Sequence, residues 1–393
     1  MNRHTVVRRY PAVVASAVLA AGLAGCTGSA EAAPEVEPSG AVAIVAGARA
    51  NMPAPALDGQ AARVRDMAVT QQSAYSVVVA DGAPYVADAG ELDVTGRTVA
   101  AQQEQRRENR QQLDEAVADA RARTPESDLL TALDVAAESI VDARGHRSLV
   151  VLDSGLSTSG ALVFTQPDML DASPEEVADS LGDFGQLPDL TGMSVVFVGL
   201  GETAPPQAPL DRTTRARLAS IWTAIATEAG AADVQIESAA SVRDPAPEGL
   251  PPVTPVDVPP GYRCSDTMIT LTGGPFLYWP DTPVLLDPAA AEAILRPVID
   301  QVKNGQIEVV LFGMAADVGD IEGQKKLSND QAQAIANLFL DLGVPVEQLA
   351  VEGRGSDFAG FRPDRDSAGS LLPAVAAANR FVTLNFASPV TCG

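Results

Sequence analysis

From Ala41 to Glu237, short continuous apolar runs alternate with stretches of helical period. The runs are Ala41–Ala46 (AVAIVA), Tyr75–Ala80, Ser148–Leu152 and Ser194–Val198, with Asp233–Glu237 as a last strand. Between them 57–71, 97–123, 126–143 and 211–230 read as helices; Leu129, Leu133, Ala136 and Ile140 share one face. Pro84–Asp93 reads as a hairpin or an edge strand. Apolar runs without polar alternation suit strands covered on both faces, so the pattern predicts a parallel α/β sheet with helices on either side.

A second pattern runs from Gln306 to Phe386. An apolar run, Ile307–Phe312, lies between Gly305 and Gly313 and predicts a buried strand. A polar loop follows, and a helix is expected from Leu327-Ser328. Ser328 precedes Gln331 at capping-box spacing, Ala332, Ile335, Phe339 and Leu342 recur at helical spacing, and Gly343 sits at the C-cap position. A strand is expected at 348–353, then a Gly/Asp/Pro-rich loop to Ser370, a short helix at 371–378 and a closing strand at 379–386. The proline density of 238–261 predicts a semi-rigid linker between the two regions.

The N-terminus reads as an address. Arg3, Arg8 and Arg9 precede the apolar run Ala12–Leu23, and Leu23-Ala24-Gly25-Cys26 follows. These four residues resemble a bacterial lipoprotein box. That resemblance implies a signal peptide over 1–25, cleavage before Cys26, lipidation there (palmitate among the chains), and a membrane-anchored protein on the extracytoplasmic face. Residues 26–40, small and acidic, are expected to be a flexible tether.

The order of elements after 306 resembles the OmpA-like peptidoglycan-associated domain, on the strand IEVVLFG, the Leu327-Ser328 helix start and Asn379-Arg380 in the closing strand. Upstream, Phe276 and Leu286–Ala290 fit that family's first strand and helix. The resemblance implies an α+β domain over 262–393. It also implies a site in which a loop Asp and a helix Arg grip the ammonium and carboxylate of diaminopimelate in the peptidoglycan stem. Aligned from Leu327-Ser328, the Asp falls on Ala316, the Arg on Gln331 and a neighbouring Asn on Gln324, so both ionic anchors are replaced. Losing a charged bidentate contact weakens binding strongly. The ligand candidates that remain are Asp317, one place beyond Ala316, with Gln331, Asn379 and Arg380. The expected partner is peptidoglycan, contacted weakly, or another envelope protein. Cys264 and Cys392 flank this domain, and in an exported chain a Cys264–Cys392 disulfide is expected; two unpaired thiols, or a metal pair lacking other ligands, are the alternative.

The region 41–237 looks like a von Willebrand factor A domain, a Rossmann-like fold. Thr124–Leu129 stands where that family has its Thr/Asp loop, and Leu149–Gly155 (LVVLDSG) matches its strand ending in Thr-Asp-Gly. The family's metal-ion-dependent adhesion site needs Asp-x-Ser-x-Ser after the first strand. Here Gly47, Arg49 and Asn51 occupy those places, and an arginine there removes an oxygen ligand and adds positive charge. No bound metal is expected. The alternative reading is a metal-dependent adhesion module or a hydrolase centred on Asp128, Asp153 and the Ser157/Ser159 loop.

Composition narrows the rest. Net charge is −24, which excludes a basic nucleic-acid face. No later run reaches the ~18 apolar residues of a membrane span. Gly199–Ala204 imitates a dinucleotide-binding turn, but Pro205, Pro206 and Pro209 follow where a helix would have to start. His146 precedes the strand that ends at Asp153, roughly 20 Å from the serine loop at strand rise. Asp317, Asp320 and Glu322 lack an EF-hand set and read as a solvated loop. No cofactor and no enzymatic activity are expected.

Overall fold

The computed structural model describes residues 40–237 and 244–392; the expected signal peptide, the lipidation expected at Cys26 and the expected tether before Gly40 lie outside the described residues. The first region runs β1 (Ala41–Ala46), α1 (Gly59–Gln71), β2 (Ala74–Val79), β3 (Tyr85–Glu91), α2 (Val99–Asp119), α3 (Leu129–Ser139), β4 (Arg147–Leu152), α4 (Pro174–Asp183), β5 (Ser194–Val198), α5 (Arg212–Glu228) and β6 (Asp233–Glu237). Its sheet has the order β3-β2-β1-β4-β5-β6. All neighbours pair parallel except β3, which runs antiparallel to β2 at the edge. Every residue of β1 is buried, and successive side chains enter opposite cores. Ala43 and Val45 pack with α3 and α5, whereas Val42 and Ile44 pack with α1 and α2. Burial on both faces is why the strand shows no polar alternation.

The second region runs β7 (Tyr262–Ser265), β8 (Met268–Leu271), α6 (Pro288–Gly305), β9 (Val309–Met314), α7 (Ile321–Asp341), β10 (Leu349–Gly355), α8 (Pro373–Ala378) and β11 (Phe381–Phe386). The order is β10-β9-β11-β8-β7, with β9 and β10 parallel and the other pairs antiparallel. Burial alternates along β9, because α6 and α7 cover one face only. Cys264 and Cys392 are bonded, Cα to Cα 6.4 Å, and tie β7 to the end of the chain.

Several sequence expectations are corrected. The helix expected from Leu327 starts at Ile321, where the Asp320 side chain accepts from Gly323 N at 2.9 Å. Ser328 is therefore no cap; it lies within α7, fully buried. Its hydroxyl donates to Lys325 O at 3.1 Å and accepts from Gly355 N at 3.0 Å. The helix crosses β9 and β10 at the paired glycines Gly313 and Gly353. A Cβ on Gly313 would collide with Ser328 O, and one on Gly353 with Lys325 O. The serine looks like a terminus because it is polar; it is buried because the strands leave no side chain beneath it.

Phe276 lies in a 3-10 turn, Gly274–Phe276, and the first strands of the second sheet are β7 and β8 upstream of it. Asp287 caps α6, accepting from Ala290 N at 3.0 Å. The Pro-rich stretch, expected as a semi-rigid linker, is described from Asp244 onward. Val253 and Val256 are buried, and residues from Asp244 onward lie as a strap across the loops that follow the first sheet's strands.

Candidate functional site

Two places hold the chemistry the sequence singles out. The first is the crevice at the C-terminal ends of β1 and β4, where the strand order reverses and open parallel sheets take ligands. Here it is filled by the protein. Arg49, fully buried, places Nη2 2.7 Å from Asp153 Oδ1 and 3.1 Å from Ser154 Oγ. Gly155 N also donates to Asp153 Oδ1 at 2.7 Å. Burial pushes the Asp153 carboxyl above its ordinary range, against the pull of Arg49. Asp153 Oδ2 and Arg49 Nε have no hydrogen-bond partner. The strap roofs the crevice: Asn51 Nδ2 donates to Val253 O at 2.9 Å, and Gln207 accepts from Val256 N at 2.7 Å and donates to Val256 O at 3.0 Å.

Asp128 caps α3, accepting from Thr131 N at 3.0 Å and Thr131 Oγ1 at 2.7 Å. Ser157 Oγ accepts from Leu129 N at 3.1 Å, while Ser159 Oγ is buried without a partner. His146 is exposed, just before β4 and at the opposite end from this loop. A cation approaching Asp153 would meet a guanidinium first. Among the described residues no group of three or more His, Cys, Asp or Glu side chains is arranged to hold a metal ion.

The second place is a cavity of about 280 Å³ between α4 and α5 on one side and the second sheet on the other. Glu176 of α4 faces Arg380, which immediately precedes β11. Nη1 reaches Glu176 Oε2 at 2.8 Å and Nη2 binds Oε1, a two-pronged carboxylate–guanidinium pair. Arg217 of α5, only 5% exposed, donates Nη2 to Tyr278 O at 3.0 Å, and its Nε has no partner. Burial lowers the Arg217 pKa; Asp171 and Glu175 oppose that. Asp171 is pushed up to about 6 by burial, against a bond from Gly274 N. Burial likewise raises the Tyr278 hydroxyl, which donates to Gln331 O at 2.9 Å. Ala374 and Ala377 of α8 join the first sheet's core, so the two sheets share a small apolar contact beside the cavity.

The four ligand candidates separate. Gln331 and Arg380 both line this cavity, with Gln331 Nε2 turned to Thr282 O at 3.2 Å. Asp317 and Asn379 meet instead through Asp364: Asp317 N donates to Asp364 Oδ2 at 2.9 Å and Asn379 Nδ2 at 3.1 Å. Asn379 is 1% exposed and holds the loop at Arg362 with both ends of its amide. Asp317 Oδ1 accepts from Gln324 Nε2 at 3.0 Å. Ala316, where the family's Asp would stand, is buried.

Residues 277–367 match the family model of the OmpA family. A stretch of 65 residues is 31% identical to outer membrane protein A of Buchnera aphidicola subsp. Schizaphis graminum, spanning 16% of this chain and 19% of that relative. Among solved structures, the peptidoglycan-associated lipoprotein from Burkholderia pseudomallei is 21% identical, covering 28% of this chain and 86% of that one, with a TM-score of 0.23. The OmpA-like domain of FopA1 from Francisella tularensis is also 21% identical, covering 33% and 80%, with a TM-score of 0.24. The C-terminal region thus carries an OmpA-family domain.

Glu176, Arg217 and Asp171 are absent from the sequence-based candidates. Ser173-Pro174-Glu175-Glu176 is a helix start, with a capping-type residue, proline at the first turn and acids behind it. Arg217 sits among Thr213, Thr214, Leu218 and Ile221 on the buried face of α5, and a charge on an apolar face is a signal in itself. Neither signal says that these residues meet the C-terminal domain.

Proposed function

We propose that this chain is a non-enzymatic tether of the cell envelope, anchored by lipid at Cys26 and contacting peptidoglycan through its OmpA-family domain. The observation that carries this reading is the family match over 277–367, joined to a cavity at Gln331, where that family keeps a ligand-gripping arginine. The first region is read as a von Willebrand factor A-like domain over 41–237. The strand order with an antiparallel β3 at its edge supports that reading. Its Arg49–Asp153 pair stands in place of a metal, which favours a scaffold or protein-binding role over metal-dependent adhesion.

Two measurements test the tether. The full chain is expected to co-sediment with purified peptidoglycan sacculi at physiological salt; protein that stays in the supernatant at every sacculus concentration sinks wall contact. Metabolic labelling with palmitate is expected to tag the chain and to vanish with Cys26→Ser. A chain that takes no label removes the lipid anchor.

A further inference from the structure

The cavity between the two sheets holds two arginines in different circumstances. Arg380 has both guanidinium arms on Glu176, with the two side chains 31% and 18% exposed. Arg217 spends one arm on Tyr278 O, and its Nε faces no acceptor. Glu176 comes from α4, an element the second sheet does not need for its own core. The other holds of α4 on the C-terminal domain are slight: Ser180 Oγ to Leu371 O at 3.5 Å, and the methyl groups of Ala374 and Ala377. An ion pair at a wet interface adds little net stability, and charged interfaces between domains permit relative motion. The connection on the far side is short, since the strap's last buried contact is at Val256 and β7 starts at Tyr262.

A carboxylate gripped by both arms of an arginine, in a cavity open to water, has the form of a bound ligand. We propose that Glu176 is the internal occupant of a carboxylate site centred on Arg380, and that α4 closes the C-terminal groove until a carboxylate-bearing ligand displaces it. This rests on the groove being the ligand-binding face of the proposed tether. Arg217 offers the incoming carboxylate a second guanidinium at the same cavity. Glu175 and Asp179 are exposed on the cavity lining and repel a bare anion, so the ligand carries a positive group as well. Leu271, Phe276 and Phe381 supply an apolar wall for a short hydrocarbon spacer between the two charges.

The test uses the full chain and 5-aminovalerate, which has a carboxylate, an alkyl spacer and an ammonium. Binding is read by calorimetry and the closure by hydrogen–deuterium exchange over 174–183. Glu176→Gln removes the internal competitor, so the probe is expected to bind about tenfold or more tightly than to the parent, with faster exchange in α4. Glu176→Gln with Arg380→Gln is expected to keep the fast exchange and lose the probe. The swap Glu176→Arg with Arg380→Glu restores a pair without the carboxylate site, so slow exchange and no probe binding are expected. A Glu176→Gln chain that binds and exchanges like the parent overturns the proposal, and so does a swapped chain that binds the probe as well as Glu176→Gln. None of these readouts involves sacculi. A chain that passes them yet never sediments loses only the wall-contact reading.

Discussion

The guanidinium of Arg49 and the carboxylate of Asp153 meet at 2.7 Å with both side chains withdrawn from solvent. Removing one partner of such a pair strands a charge, whereas removing both leaves nothing uncompensated. Arg49→Met is therefore expected to cost about 3–5 kcal/mol. Adding Asp153→Asn should recover most of it, because an amide oxygen still accepts from Gly155 N. Urea unfolding of the single and double variants checks this; equal losses in both contradict it.

Gly313 is required by a close approach rather than by an unusual backbone angle. Its missing Cβ is what lets Ser328 O sit over β9. Gly313→Ala is expected to lift α7 off the sheet and cost about 3 kcal/mol or more, at the upper end for overpacking. Gly360→Ala has open space around it but a positive φ of 96°, so it serves as a control for backbone strain alone. Thermal midpoints of the two variants should separate, with Gly313→Ala lower.

Asp171 gives the stability a pH dependence. Its folded carboxyl is pushed up to about 6 from an ordinary 3.8, so the folded chain holds this proton more tightly than the unfolded one. The resulting stabilisation is fully present below pH ~4 and is lost as pH rises through about 6, with a ceiling of roughly 3 kcal/mol. Asp171→Asn is expected to flatten this part of the profile. The check is the urea midpoint of both proteins from pH 4 to 7.5. Parallel curves would show that the carboxyl titrates normally.

The disulfide closes a sequence separation of 128 residues around the C-terminal domain. Chain entropy sets its contribution at about 4–5 kcal/mol as an upper figure. Cys264→Ser with Cys392→Ser is expected to lower the denaturation midpoint of the second sheet, followed by exchange in β8 and β11. An unchanged midpoint would mean that the bridge adds nothing to the fold's stability.

The strands of the first sheet were legible because burial on both faces leaves an unbroken apolar run, as in Ala41–Ala46. Asp211 marked the start of α5 equally well, and it accepts from Thr213 N and Thr214 N. The start of α7 was not legible in the same way. Its first turns, Ile321 to Lys326, are largely polar and exposed, and the buried Ser328 imitated a cap. The site was less legible still. Arg380 and Glu176 lie 204 residues apart, and Arg49 and Asp153 lie 104 apart. Periodicity reports which face of an element is buried, but not which distant element lies against it. Asn379 is a ligand candidate through the Asn-Arg closing motif and Asp317 through its place beside Ala316; in the fold, Asp364 draws them into one loop network.

The strap has a consequence for where the molecule divides. A fragment ending at Glu237 would take Val253 O from Asn51 and both backbone groups of Val256 from Gln207, leaving those buried amides to water. It would also uncover the mouth above Arg49. A truncation that keeps the strap with the first half therefore ends at Pro259-Pro260, just before Gly261, whose carbonyl is already tied to Thr272 N and Gly273 N. The proline-rich stretch that reads as a connector belongs, for most of its described length, to the half that precedes it.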